Sequence, residues 1–214
     1  MNYPLYFTLR NVFNFKHSMY EIRSVLMSEK GAFSDMDALG VFIDNHDNGR
    51  FLSLTPSIPL FKAALSFALF AQGIPIIYYG SEQAFNGGND PENREPLWTS
   101  MNTKSDLYKF MTTVIAVRKQ HQVWSYPQVE RWCDDSFFAF SRNDVLLAMT
   151  NDGNQGQQHR EITYHPYKAG QKICNQLVSG DCVTISSDNK LSITLVNGEA
   201  KIYAPATSVE FLQE

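Results

Sequence analysis

Long apolar runs are missing from this 214-residue chain. Nowhere do about 18 consecutive apolar residues occur, so no membrane-spanning helix is expected. Basic runs are missing too. The net charge of −4 is mild, and no cluster of lysine and arginine offers a footprint for nucleic acid or for an anionic membrane surface. There is no internal repeat, no low-complexity tract and no Asn-X-Ser/Thr sequon. Residues 1–15 lack a basic leader and a small-residue cleavage site, and Pro4, Arg10 and Asn11 interrupt their apolar character, so they do not read as a signal peptide. Cysteine is scarce, with three in the chain. Cys174 and Cys182 flank Leu177 to Asp181, a stretch that suits a hairpin with a Ser-Gly-Asp turn. A disulfide there implies an oxidising compartment, and two unrelated buried thiols is the equal alternative. Cys133 is left over.

What is present is a chain that can fold. Its 43% hydrophobic content and 13% aromatics supply a core and argue against disorder. The most informative stretch is Leu39 with Val41-Phe42-Ile43, which runs straight into Asp44-Asn45-His46-Asp47-Asn48-Gly49-Arg50. Consecutive apolar positions of this kind read as a strand covered on both faces. The polar cluster that ends it is expensive to bury without partners. In sheets flanked by helices, such strand ends are where sites sit. The bland reading is a turn in which Asn48-Gly49 supply left-handed residues.

A second strand, Ile74-Pro75-Ile76-Ile77-Tyr78, also ends in a polar run, from Ser81 to Trp98. Between the two strands, Ser57–Gln72 is apolar on most of its circumference, as expected of a helix wedged against a sheet, with Lys62 alone breaking it. Strand, helix and strand within about 35 residues form a βαβ unit with a parallel sheet. Asn2-Tyr3-Pro4 suggests a strand end or turn feeding a helix, Tyr20 to Met27 a short amphipathic helix, and Ser105 to His121 a helix capped by Ser105 or Asp106. His121 reads as an ordinary terminal histidine.

From about residue 122 the texture changes to short strands: Val129-Trp132, Phe137-Ser141, Val145-Thr150, Arg160-Tyr164, Lys172-Asn175, Val183-Ser186, Leu191-Leu195 and Lys201-Ala204. Turn signals such as Asn143-Asp144, Gly180-Asp181 and Asn197-Gly198 separate them. Closely spaced strands argue for an antiparallel sandwich.

Phe-Ile-Asp-Asn-His-Asp-Asn at 42–48, Gly-Ile-Pro-Ile-Ile-Tyr-Tyr-Gly-Ser-Glu-Gln at 73–83 and Gly-Gly-Asn-Asp-Pro-Glu-Asn-Arg-Glu at 87–95 together resemble the seventh and eighth barrel strands of the α-amylase family of glycoside hydrolases. The likeness is to its secreted fungal, protist and bacterial type. Asp90 follows Asp47 by 43 residues and Arg94 by 47, a separation similar to the family's. The implied fold class is α/β plus all-β. Residues 1–121 would form the C-terminal portion of a (β/α)8 TIM barrel, strands 6–8 with their helices. Residues 122–214 would form an antiparallel Greek-key β-sandwich. The family's Asn-Tyr-Pro motif ends its sixth strand, so the chain is expected to start at an internal methionine of a longer protein.

The resemblance implies retaining endo-hydrolysis of α-1,4-glucosidic bonds in starch or glycogen. Asp47 would be the transition-state-stabilising third carboxylate, and His46, Asp90 and Arg94 would bind substrate. The nucleophile and the acid/base belong to the family's fourth and fifth strands and are not expected here, nor are the ligands of the family's calcium. The chain is therefore expected to be inactive alone, and the full-length protein to be a secreted monomer acting on α-1,4-glucan, with no nucleic-acid or membrane partner. Bland readings exist: Asp90 capping the turn at Pro91, Arg94 pairing on the surface with Glu92 or Glu95, and Tyr78, Tyr79, Phe85 and Trp98 packing rather than stacking on sugars, packing being expected for at least two of these. Alternatives for the function are a cyclodextrin-acting relative and a non-catalytic carbohydrate-binding remnant.

Overall fold

The computed structural model describes residues 1–153 and 156–206; the end of the expected sandwich range, 207–214, lies outside them. The chain opens with helix α1 (Tyr3–Asn14), whose start is written in its sequence. The Asn2 side chain accepts from the Leu5 N–H at 3.0 Å and Pro4 fits the first turn. The Asn2 N–H still donates to the Gly40 carbonyl at 2.8 Å, the last strand-like bond before the helix. Helix α2 (Tyr20–Ala32) runs beyond the expected end at Met27.

Strands β1 (Gly40–Val41) and β2 (Ile74–Pro75) pair in parallel, Gly40 opposite Ile74 and Val41 opposite Pro75. The ladder is much shorter than the apolar runs that announced it, and no third strand precedes α1 among the described residues. The apolar runs are real, since Phe42 and Ile43 are buried. A strand is defined by a bonded neighbour, however, and β2 offers β1 one short stretch. Ile74 and Ile76 turn their N–H groups to the carbonyls of Leu39 and Val41, both at 2.8 Å. Alternation then points the backbone groups of Pro75 to the open side, where Pro has no N–H to give. Along this edge Ile74, Ile76 and Ile77 are exposed.

A four-residue helix, α3 (Phe51–Leu54), precedes α4 (Ile58–Phe70). Ser57 caps α4, which buries every residue from Ala63 to Phe70. The one charge on it, Lys62, pairs with Asp106 at 2.6 Å and lies over the Phe110 ring. Two residues past its C-cap, Gly73 adopts φ +118°, and a Cβ there would meet the Leu39 carbonyl oxygen at 2.5 Å, so only glycine lets α4 return into β2 this tightly. Helix α5 (Asp106–Gln120) starts at the expected Ser105 cap. His121, beyond a plain terminal role, ties α5 to the β-region through Asp144 at 3.0 Å.

The remaining strands are β3 (Val129–Cys133), β4 (Phe137–Arg142), β5 (Val145–Thr150), β6 (Gln157–Ile162), β7 (Lys172–Asn175), β8 (Cys182–Thr184), β9 (Leu191–Val196) and β10 (Ala200–Pro205). They form a six-stranded antiparallel sheet in the order β3-β4-β5-β10-β7-β8 and a separate pair, β6-β9. The strand expected at 160–164 sits earlier, at β6, because its residues are polar and only Ile162 is fully buried there. Its register comes from β9 (Arg160 opposite Ile193) rather than from its own pattern.

One apolar core (Phe137, Ala139, Leu146, Ile162, Leu191, Ile193 and others) lies between the two sheets. The other runs without a break from α1, α4 and α5 to the opposite face of the large sheet, at Phe138, Phe140 and Leu147. Buried Arg142 fastens the same junction, donating to the carbonyls of Ala71 (2.8 Å), Tyr126 (2.8 Å) and Trp124 (3.2 Å). Cys174 and Cys182 face each other across β7-β8 and are joined as a disulfide, the first of the two readings above. Cys133 stays free, its thiol pushed up to about 12 by burial. No described helix is long and apolar enough to cross a membrane.

A fork of hydrogen bonds closes the β-region. Arg160 grips Asp134 through Nε at 2.6 Å and Nη2 at 3.1 Å, and Trp132 Nε1 donates to the same carboxylate at 2.6 Å. Burial alone would raise the Asp134 carboxyl, but these donors hold it at about 2. A depressed folded-state pKa stabilises above the unfolded value and is lost as pH falls through the folded one. We expect Asp134→Asn to cost about 1–2 kcal/mol at neutral pH. It should also flatten the loss of stability between pH 4 and 2 seen in urea melts of the wild type; an unchanged acid limb would contradict this assignment.

Candidate active site

Two loops leave the ends of β1 and β2, and the first sorts its polar residues by direction. Asp44, Asn45 and Arg50 turn inward and are buried, while His46 and Asp47 remain about half exposed. Asp44 accepts from the Phe51 N–H at 2.8 Å and the Ser81 hydroxyl at 3.1 Å, joining the two strand ends. Burial raises its carboxyl, and these two donors work against that. Asn45 Oδ1 accepts from the N–H groups of Asp47 (3.1 Å) and Asn48 (2.9 Å), an Asx turn that fixes how His46 and Asp47 are presented. The segment does turn from strand to helix, but neither Asn48 nor Gly49 is left-handed, so the turn does not rest on the residues expected for it. Gly49 provides room instead: a Cβ would come 3.2 Å from the Gly88 carbonyl.

Arg50 binds the second loop to the first. It is fully buried, and its Nε meets Glu95 at 2.6 Å while Nη1 donates to the Tyr79 carbonyl at 2.9 Å. Its guanidinium lies over the rings of Tyr78 (4.6 Å), Tyr79 (5.3 Å) and Phe85 (5.3 Å). The other Glu95 oxygen accepts from the Gly87 N–H at 2.5 Å, and the Arg50 N–H donates to the Gly87 carbonyl at 3.0 Å. Buried Asn93 completes the seam by donating to the Asn48 carbonyl at 2.8 Å.

On this seam stand two polar pairs. His46 Nε2 lies 3.2 Å from Asp47 Oδ1, and Tyr3, at the start of α1, donates its hydroxyl to Asp47 Oδ2 at 3.0 Å. That bond, with a little burial, raises the Tyr3 phenol. Arg94 Nε meets Asp90 Oδ1 at 2.6 Å, with both side chains about half exposed. The structure thus brings His46 to Asp47 and Asp90 to Arg94. It links one pair to the other through Asn48–Asn93 and Arg50–Gly87, not through a direct bond among those described. Arg94 is not the partner of Glu95, which belongs to Arg50. Asp90 serves Arg94 across a turn whose Asp90-Pro91 bond is cis.

Sequence reasoning missed Tyr3, Asn93 and the Arg50–Glu95 pair. The signal available for Arg50 was an arginine between polar residues and an apolar helix start. For the calcium that the resemblance carries, the donor set does not fit. Among the described residues no group of three or more His, Cys, Asp or Glu side chains comes together, and Asp47 and Asp90 are already held by Tyr3, His46 and Arg94.

A family model described as the catalytic domain of alpha-amylase matches residues 1–105. The chain is similar to the beta/alpha-amylase of Paenibacillus polymyxa, 36% identical over 95% of this chain and 18% of that protein. It is also similar to alpha-amylase 1 of Schwanniomyces occidentalis, 32% identical over 96% of this chain and 42% of that one. Among solved structures, an alpha-amylase from Malbranchea cinnamomea superposes with a TM-score of 0.88 and 31% identity over 96% of this chain and 45% of that one. The chain spans less than half the length of these relatives.

The two arginine pairs differ in burial, and mutation separates them. Arg50→Ala strands Glu95 and is expected to cost about 3–5 kcal/mol in urea melts. Arg94→Ala, in a half-exposed pair, is expected to stay within about 1 kcal/mol. Equal losses would show that the division into an inner scaffold and an outer pair is wrong.

Proposed function

We propose, from the premise that this chain belongs to the α-amylase family of glycoside hydrolases through its first 105 residues, that it carries one half of an α-1,4-glucan groove. The reading is of retaining endo-hydrolysis of starch or glycogen by the longer protein, with Asp47 as the carboxylate that stabilises the transition state. Residues 1–121 would be its share of a (β/α)8 barrel and residues 122–214 a Greek-key sandwich. The observation that carries the reading is the pair of polar clusters on loops sewn together at the ends of two parallel strands.

The chemistry of each group suits its role. An ionised carboxylate has about four acceptor sites. Tyr3 occupies one on Asp47 Oδ2, and His46 Nε2 stands 3.2 Å from Oδ1, which leaves acceptor sites on both oxygens for adjacent sugar hydroxyls. The Tyr3 bond holds the carboxylate in place as positive charge grows on the sugar ring, and hydrogen bonds to its hydroxyls strengthen at that moment. His46 would share the same sugar. Arg94 uses Nε for Asp90, so the other arms of its fork remain to donate to a hydroxyl of the next ring, with Asp90 accepting from the same ring.

A retaining hydrolase also needs a nucleophile and a general acid about 5 Å apart across the scissile bond. Asp47 and Asp90 are each committed to binding, so the chain by itself should bind glucan and leave it intact. Secretion fits the Cys174–Cys182 disulfide, which persists in oxidising compartments.

Calorimetric titration with maltoheptaose tests this. The wild-type chain is expected to bind in the millimolar range, and Asp47→Asn and Arg94→Ala to weaken binding about tenfold, or about 1.4 kcal/mol each. Reducing-sugar assays should find no cleavage. Absence of binding by the wild type, or indifference to both substitutions, would overturn the reading.

A further inference from the structure

Trp98 is the most exposed large apolar side chain of the chain's described part, at 80%. Tryptophan is well buried on average, so an indole standing in water asks for a partner. Of the aromatic residues near the site, Tyr78, Tyr79 and Phe85 are engaged around the Arg50 guanidinium. Trp98 has no such employment among the described interactions.

Its backbone is nonetheless held firmly. Trp98 sits in a 3-10 turn, Leu97–Thr99, within an arch fixed at both ends. On one side Glu95 is bonded to Arg50 and to Gly87. On the other, Gln83 Oε1 accepts from the Ser100 hydroxyl at 3.0 Å and the Asn102 N–H at 2.8 Å. Within the arch, Thr99 Oγ1 donates to the Pro96 carbonyl at 2.8 Å. Thr99, Ser100 and Asn102 place hydroxyls and an amide next to it in the chain, and Pro96 and Met101 are further exposed apolar residues. A protein-docking patch needs several hundred Å² of contiguous apolar surface, and this arch offers one ring, a proline and a methionine among polar residues. A flat aromatic face edged by hydrogen-bonding groups suits the apolar face and the hydroxyl rim of a sugar.

Position sets which sugar. Trp98 lies four positions after Arg94, so their Cα atoms lie at most about 14 Å apart. That is a reach of roughly three sugar rings along a chain already held at Asp90 and Arg94. We propose that Trp98 is an outlying stacking platform for the glucan, engaging a glucose unit beyond the one read by Asp90 and Arg94, and that it sets a preference for longer oligosaccharides. This rests on the glucan reading above and adds a length dependence that the reading alone does not contain.

The test compares maltotriose with maltoheptaose on the intact chain by calorimetric titration. Trp98→Ala is expected to weaken maltoheptaose about tenfold and to leave maltotriose within twofold. Trp98→Phe is expected to restore most of the loss, because stacking needs a ring and not an indole N–H. Melting curves of both variants should match the wild type, as befits an exposed side chain. If Arg94→Ala weakens maltoheptaose and Trp98→Ala does not, the platform is wrong and the glucan groove stands. If Trp98→Ala weakens both sugars equally, the length preference is wrong. If the wild type binds neither sugar, both fall together.

Discussion

The contact on which the site depends is that of Arg50 with Glu95. It joins residues 45 positions apart, and it does so where no water reaches the arginine. A buried guanidinium needs a counter-charge and partners for its donors and its π-face. Here Glu95 takes Nε, the Tyr79 carbonyl takes Nη1 and three aromatic rings cover the face, while Nη2 has no hydrogen-bond partner among the described residues. Each of those partners lies in the segment that follows β2, between Tyr78 and Glu95, and Arg50 lies on the loop after β1. The demand for charge compensation is therefore what sets the second loop against the first. His46, Asp47, Asp90 and Arg94 inherit their places from it. The outer pairs can remain half exposed and available because the inner pair carries the structural task.

Much of this was legible beforehand, and the reasons differ between residues. The apolar run at 41–43 was readable because a strand covered on both faces leaves no polar position; the run at 74–78 was equally apolar, yet Ile74, Ile76 and Ile77 are exposed. His46 and Asp47 stood out because hydrophilic groups gathered at such a strand end have no packing reason to be there, whereas Asp90 and Arg94 stood out only through the family resemblance of 87–95. The cap at Ser105 announced its helix through a side-chain acceptor at the right offset; the caps at Asn2 and Ser57 went unread. In the β-region, Phe137–Arg142 and Val145–Thr150 were plain because both faces of those strands are buried.

The rest was hidden for physical reasons as well. Composition does not say whether a charge points in or out, so Arg50 and Asp44 looked like members of the same cluster as Asp47. Neighbourhood in sequence suggested Glu95 for Arg94, whereas burial gave it to Arg50. Tyr3 was read as part of a strand end or turn feeding a helix, and its hydroxyl reaches Asp47 because the start of α1 is bonded to Gly40 and the Tyr3 ring rests on Phe42. The strand β6 carries no apolar alternation of its own, and its position follows from the partner that its polar side lies against. The short ladder between β1 and β2 was also invisible, since hydropathy reports burial and not the number of backbone bonds.

The proline at 75 has a consequence for whatever comes to lie beside β2. Its outward side offers carbonyl oxygen at 75 but no matching hydrogen, and the next outward donor is the amide of Ile77. A strand arriving there cannot slide freely, because shifting it back by two places would set one of its own carbonyls against a ring carbon. The gap acts as a key that admits one alignment, so the same residue that weakens the ladder also dictates how it can be extended.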